Sequence, residues 1–171
     1  IPALLGLLLL ALPAQAQTRQ SGYADMGPEL RAMQDDDAAN PAMLWVREGE
    51  LLWRMPEGAT GKSCADCHGD IKTMAGVAAR YPAFSAALNR PVTLAQRINL
   101  SRRENQQAAE LAPESRELLA LTAAIARPSR GQAIAPPDDA RLRPFRAAGA
   151  ALFTQRQGQL NLSCANCHED N

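Results

Sequence analysis

Apolar side chains recur at helical intervals along the middle of the chain. Leu118, Leu121 and Ile125 fall three or four positions apart, as do Leu94 and Ile98. This spacing places side chains on one face of an α-helix. Residues that favour helix starts precede these stretches, namely Asn40–Pro41, Thr93 and Pro113–Glu114, whereas Pro128 and Gly131 are stop signals. We therefore predict three helices, over residues 41–54, 94–105 and 114–126.

An uncharged apolar run over residues 1–12 opens the sequence and precedes Pro13-Ala14-Gln15-Ala16. An apolar core followed by small residues is typical of a secretory signal, so we predict export to the periplasm with cleavage after Ala16. A membrane anchor is the alternative, but a spanning helix needs about 20 apolar residues, and this run is shorter. The signal is thus assigned to residues 1–16, an irregular leader to residues 17–40, and no membrane attachment is expected after cleavage.

The sequence contains two copies of one pattern, separated by the 100 residues between Cys64 and Cys164. The motif Cys64-Ala65-Asp66-Cys67-His68 matches Cys164-Ala165-Asn166-Cys167-His168. The match extends upstream, where it pairs Gly49 with Gly149, Trp53 with Phe153, Gly58 with Gly158, and Ser63 with Ser163. Each copy therefore predicts a helix, a glycine-containing loop and a Cys-x-x-Cys-His motif.

Charge and composition exclude several classes of protein. The 18 Lys and Arg residues balance 18 Asp and Glu residues, which argues against a dedicated nucleic-acid-binding protein. Aromatic residues make up only 4% of the chain, and this argues against an all-β sandwich or barrel. All 4 Cys and both His residues fall in the two motifs, so the chemistry of the chain is concentrated there.

Cys-x-x-Cys-His is the attachment motif of c-type haem. Two cysteines three positions apart project to one side of a helical turn, where both thiols can form thioethers with the haem vinyl groups. The adjacent histidine then binds the iron. Covalent attachment takes place after export, in agreement with the predicted signal.

Other uses of four cysteines account less well for the motifs. Two disulfides could form in any of three pairings, and a Cys₄ zinc site has its pairs roughly 15–20 residues apart. A redox-active Cys-x-x-Cys would follow a strand in a βαβ unit. None of these alternatives uses the histidines. We therefore predict two covalently bound haem c groups, attached at Cys64, Cys67, Cys164 and Cys167, with His68 and His168 as iron ligands.

The repeated haem motif predicts an all-α protein of two tandem cytochrome c-like domains. We assign residues 41–131 to the first domain, 132–144 to a linker and 145–171 to the start of the second. The sequence lacks a start methionine and stops soon after His168. We therefore expect a piece of a longer protein, with the second domain incomplete.

The sequence does not identify the sixth iron ligand of either haem. Both histidines are already assigned, which leaves Met74, Lys62 and Lys72 as candidates near the first motif. Methionine sulfur is the usual soft donor, but Met74 follows His68 so closely that a core-packing role is the commoner one. The arginines Arg97, Arg102 and Arg103 suit a docking surface, pairing with haem carboxylates, or an ordinary solvated helix face.

The stretches 61–70, 79–108, 114–126 and 156–171 resemble the dihaem SoxA subunit of the SoxAX cytochromes. The segment Arg97-Ile98-Asn99-Leu100 is more specific to this family than the haem motifs. The resemblance implies an L-cysteine S-thiosulfotransferase of the periplasm, which couples thiosulfate oxidatively to a cysteine of a SoxYZ-type carrier. It also implies a SoxX-type cytochrome partner and an acceptor cytochrome.

Two further points follow from this resemblance. The family's active haem is the second one, ligated here by His168, and its modified cysteine ligand lies downstream of residue 171, so no catalytic residue is expected in this chain. Dihaem members carry a cysteine ligand for the first haem where Ser101 stands here. The alternatives are a dihaem electron-transfer cytochrome without substrate chemistry and a dihaem peroxidase.

Overall fold

The computed structural model describes residues 21–169 and divides them into two compact units, one up to Asn40 and one from Pro41 onward. The predicted signal peptide lies outside the described residues. The first unit contains a 3₁₀ turn, Gly22–Asp25, and helix α1, Pro28–Asp35. The prediction of an irregular leader is therefore wrong for these residues. Pro28 occupies the first helical position, where its missing N–H costs nothing.

The larger unit is built around two helices, α2 (Ala42–Arg54) and α5 (Arg116–Ala126), which pack against each other. Gly49 of α2 allows the close approach, because a Cβ there would lie 2.0 Å from the carbonyl oxygen of Ala120. The buried core gathers around this contact and comprises Trp53, Ile71, Ile98, Leu118, Leu121, Ala124 and Ile125. This core forms one wall of the cavity described below.

Helix α3 (Cys64–His68) carries the first motif, and α4 (Leu94–Ser101) follows after two 3₁₀ turns, Ile71–Met74 and Ala78–Arg80. The predicted cap of α4 is confirmed, since the Thr93 side chain accepts from the Gln96 N–H. The helix then widens into a π-helical turn, Arg102–Gln106. Gln107 ends it in the left-handed conformation with φ 53°.

Helix α5 begins two residues later than the sequence predicts. Glu114 adopts φ 59°, outside the helical region, and Ser115 caps the helix by accepting from the Leu118 N–H. The predicted end at Ala126 is confirmed, and a 3₁₀ turn, Arg127–Ser129, follows.

The expectation of an all-α protein needs a correction, because the structure is mainly helical but contains one antiparallel hairpin. Strand β1 (Ala83–Ser85) pairs with β2 (Arg90–Val92), with Ala83 opposite Val92 and Phe84 opposite Pro91. Each strand has only three residues, too few for an alternating pattern to be visible in the sequence.

The second motif follows helix α6 (Arg143–Thr154) and lies in helix α7 (Cys164–His168). Helix α6 begins within the predicted linker, with Pro144 in its first turn. The assignment of separate domains to residues 41–131 and 145–171 stays a prediction. Within residues 21–169, no helix is long and apolar enough to cross a bilayer.

Candidate functional site

The first motif is fixed by a capping box at the start of α3. The Ser63 hydroxyl accepts from the Asp66 N–H at 3.2 Å, and the Asp66 carboxylate accepts from the Ser63 N–H at 2.7 Å. These bonds lower the pKa of Asp66 below its usual value, because they stabilise the ionised carboxylate. The box satisfies N–H groups that a five-residue helix would otherwise leave exposed. It thus sets the direction in which the motif side chains project.

A cavity of about 430 Å³ lies against this helix, and Cys64, Cys67 and His68 all line it. Its walls come from elements on both sides of the motif in sequence. The other lining residues are Trp53, Lys62, Ser63, Thr73, Met74, Val77, Arg80, Tyr81, Leu94, Arg97, Ile98, Ser101, Arg102, Asn105, Gln106 and Ile125. Two thiols and an imidazole at the rim of a largely apolar cavity match the donor set and surroundings that a haem c requires. The residues present therefore fit this group.

The residues around His68 hold the end of the motif helix in place. The indole ring of Trp53 lies 5.7 Å from the imidazole, centroid to centroid. Its Nε1 donates to the Gly69 carbonyl at 3.0 Å. The Thr73 hydroxyl donates to the His68 carbonyl, also at 3.0 Å. Trp53, a member of the buried core, therefore also anchors the chain next to the histidine.

The wall formed by the π-helical turn is polar and buried. Gln106 is 6% exposed, and its Nε2 donates to the Lys62 carbonyl at 2.8 Å. Arg102 is 8% exposed, donates through Nε to Ala109 at 3.2 Å, and lies 3.5 Å from the Glu57 carboxylate. These contacts tie the turn to the loop that precedes the motif.

The two cysteines of the first motif differ in their surroundings. Cys64 is partly buried beside the core, whereas Cys67 is exposed. Burial raises the pKa of the Cys64 thiol, and the positive charge of Arg102 partly opposes this shift. All four cysteines of the described chain are free rather than paired in disulfides. Residues 21–169 also contain no group of three or more His, Cys, Asp or Glu residues arranged to hold a metal ion.

The candidate sixth ligands of the first haem differ in whether they line the cavity. Met74 and Lys62 line the cavity, whereas Lys72 is not among the lining residues. Met74 also packs against the buried core cluster. Ser101 lines the cavity at the end of α4.

The second motif repeats the local geometry of the first. The Asn166 side chain accepts from the Ser163 N–H at 3.0 Å and completes a capping box like that of Ser63 and Asp66. The loops before the two motifs close with equivalent bridges, Glu57 to Lys62 and Gln157 to Leu162. Cys164, Cys167 and His168 are all exposed. The repeat seen in the sequence is therefore also a repeat of structure.

Part of the cavity wall was not predicted from the sequence. Gln106, Arg80 and Tyr81 belong to no motif and lie 12 or more positions beyond His68 in the sequence. Of the wall residues on α4, Leu94 and Ile98 were indicated by their helical spacing, Arg97 by its charge, and Ser101 by the family resemblance. The π-helical turn has no sequence signature that separates it from a continuing helix.

The chain is similar to a known protein family and to several of its characterised members. Residues 48–134 match the family model described as SoxA/TsdA, cytochrome c domain. The chain is 38% identical to the L-cysteine S-thiosulfotransferase subunit SoxA of Pseudaminobacter salicylatoxidans and 35% identical to that of Rhodovulum sulfidophilum. Each alignment covers 88% of this chain and 53% of the relative.

A solved structure agrees with these relatives. The crystal structure of SoxXA from P. pantotrophus matches with a TM-score of 0.81 and 32% identity, over 88% of this chain and 57% of that chain. The chain thus spans about half the length of the curated relatives it matches. On the strength of the family match and the motif-lined cavity, the chain belongs to the SoxA/TsdA cytochrome c family.

Proposed function

We propose that this chain is part of the haem subunit of a periplasmic L-cysteine S-thiosulfotransferase. In the full-length protein, this enzyme would couple thiosulfate oxidatively to a cysteine of a SoxYZ-type carrier and pass electrons to a c-type cytochrome. The observation that carries the proposal is the cavity that brings Cys64, Cys67 and His68 together within a SoxA-like fold. The names of the matched relatives support the activity.

The two motifs are proposed to hold two covalent haem c groups. Cys64 and Cys67 would form the thioethers of the first, with His68 as its iron ligand. Cys164, Cys167 and His168 would serve the second in the same way, as the repeated capping box and bridge suggest. When bound, haem c supplies one-electron oxidation and reduction at an iron ligated by histidine.

The residues around the first motif would position and enclose the group. The capping box fixes α3, so the two thiols and the imidazole project toward one cavity. Trp53 and Thr73 restrain the backbone at Gly69 and at His68 itself. The apolar side chains of Leu94, Ile98 and the core would limit the access of water to a bound haem, which would favour electron transfer over side reactions.

The partners are proposed by analogy with the relatives. The matched crystal structure is that of SoxXA, which supports a SoxX-type cytochrome subunit as a partner of this chain. A SoxYZ-type carrier and thiosulfate would be the substrates. These assignments concern the full-length protein, of which this chain covers part.

Mass spectrometry tests haem attachment first. The exported chain should gain the mass of two haems, and the variant Cys164→Ala with Cys167→Ala should gain one. Full-length protein, combined with its SoxX-type partner, thiosulfate and the carrier, should then add a thiosulfonate group to the carrier cysteine. An unmodified carrier in the presence of an oxidised acceptor cytochrome would disprove the proposed activity.

A further inference from the structure

Two arginines and a tyrosine lie together in the wall of the first cavity. Arg80 ends the 3₁₀ turn Ala78–Arg80, Tyr81 follows it, and Arg97 lies in the first turn of α4. All three line the cavity. Burial raises the pKa of the Tyr81 hydroxyl, and the charges of Arg97 and Arg80 both oppose this shift. Both guanidinium groups are therefore close enough to act on the same hydroxyl group.

These two arginines differ from others nearby in having no acidic partner. Arg102 pairs with Glu57, and Arg103 pairs with Glu110 at 2.8 Å. Within residues 21–169, Arg80 and Arg97 form no ion pair or side-chain hydrogen bond, and no described Asp or Glu lines the cavity. Lys62 adds a further positive charge to its wall. The cavity therefore offers cations and a hydroxyl donor without an anion of the protein to satisfy them.

We propose that Arg80, Tyr81 and Arg97 form a clamp for the two carboxylates of the haem attached at Cys64 and Cys67. This inference rests on the proposed function, because it assumes that the first motif carries haem. The thioether-forming vinyl groups and the carboxylates occupy different edges of a haem. A group anchored at Cys64 and Cys67 thus presents carboxylates elsewhere in its cavity. An ionised carboxylate taken out of water needs charged or hydrogen-bonding partners.

The chemistry of the three side chains suits this role. Each guanidinium can donate two parallel hydrogen bonds to one carboxylate, which makes arginine the preferred partner for a planar anion. The Tyr81 hydroxyl adds a neutral donor to the same cavity wall. Because both arginines are exposed at the cavity rim, they can reach a carboxylate without any rearrangement of the core.

A redox titration of the haem-loaded chain tests the clamp. A positive charge near the iron disfavours the ferric state, so Arg97→Gln and Arg80→Gln should each lower the midpoint potential of the first haem. We expect the equilibrium constant for reduction to fall by roughly threefold to tenfold per charge. Arg97→Lys keeps the charge and should recover most of the potential but not the bidentate hydrogen bonds. The haem of the second motif serves as the internal reference.

Arg103→Gln is the matched control, since it removes the same charge from a nearby exposed arginine that pairs with Glu110 and does not line the cavity. It should leave the potential unchanged. Resonance Raman spectra should show a shifted carboxylate bending band in Arg97→Gln and Arg80→Gln but not in Arg103→Gln. Equal potentials in all variants, with both haems present by mass, would overturn the clamp and leave the proposed function standing.

Two further outcomes would bear on the clamp and on the proposed function. If free thiosulfate changes the potential of the unaltered protein at constant ionic strength, and Arg97→Gln removes that effect, the arginines bind an external anion and the clamp is wrong. If the mass shows no haem at Cys64 and Cys67, the proposed function fails together with the clamp. Full haem loading combined with the variant-specific shifts supports both.

Discussion

The Ser101 hydroxyl lines the first cavity at the end of α4, a wall helix that lies 26 or more residues beyond His68 in the sequence. A neutral hydroxyl is a weak ligand for haem iron compared with a thiolate or thioether. We therefore expect the first haem of the unaltered protein to give no thiolate signal. In Ser101→Cys, most of the first haem should convert to a low-spin, thiolate-ligated form, visible in electron paramagnetic resonance and absorption spectra.

Met74 provides the control for this prediction. It lines the cavity but also packs against the buried core, and it lies in the 3₁₀ turn that begins soon after the motif. Met74→Leu, which preserves volume, should therefore leave the spectrum of the first haem unchanged. A thiolate-type low-spin signal already present in the unaltered protein would contradict the prediction for Ser101, and loss of a methionine-type band in Met74→Leu would assign the ligand to Met74.

At the scale of the elements, the packing of α2 on α5 depends on a single glycine. A Cβ at Gly49 would lie 2.0 Å from the Ala120 oxygen and 2.6 Å from the Ala124 Cβ, so the helices must move apart to accommodate it. Gly49→Ala should lower the free energy of unfolding by about 1–3 kcal/mol, the usual cost of overpacking a core. Urea unfolding of the haem-loaded chain measures this change.

The repeat supplies a matched control in α6. Gly149 occupies the position equivalent to Gly49, but a Cβ there would meet nothing within 4 Å. Gly149→Ala in the same chain should raise stability by up to about 1 kcal/mol, because alanine is the better helix former. Equal effects of the two substitutions would show that α2 and α5 are not in the close contact described.

Local chemistry decides how much of the fold the sequence reveals. The start of α4 was predictable because the hydrogen bond from Gln96 to Thr93 spans only three residues. The start of α5 was not, since Pro113 precedes Glu114, whose left-handed backbone delays the helix until Ser115. The residues of the Cys-x-x-Cys-His motifs were also predictable, because each motif lies within five consecutive positions. Gln106 reaches the cavity only because the π-helical turn docks on Lys62, a contact between residues 44 positions apart.

Across the whole molecule, the two copies of the motif differ in what covers them. Gly58 packs so tightly on the π-helical turn that a Cβ would lie 2.3 Å from the Gln106 oxygen. Its counterpart Gly158 has nothing within 4 Å among the described residues, and the same holds for Gly149. Both copies nevertheless share the capping box and the bridge, each of which joins residues that lie within a dozen positions of one another.

The net charge of the chain provides a second test of haem content, independent of mass spectrometry. The polypeptide has 18 positive and 18 negative side chains and a pI near 6.9. A ferric haem with both carboxylates ionised adds a charge of about −1 at neutral pH, and a ferrous haem about −2. The haem-loaded chain should therefore focus at a more acidic pH than the unloaded chain, and reduction should increase the displacement. Cys164→Ala with Cys167→Ala should halve the displacement, because cysteine and alanine are both neutral and only one haem is lost. A displacement of equal size in the variant and the unaltered chain would mean that the second motif carries no haem.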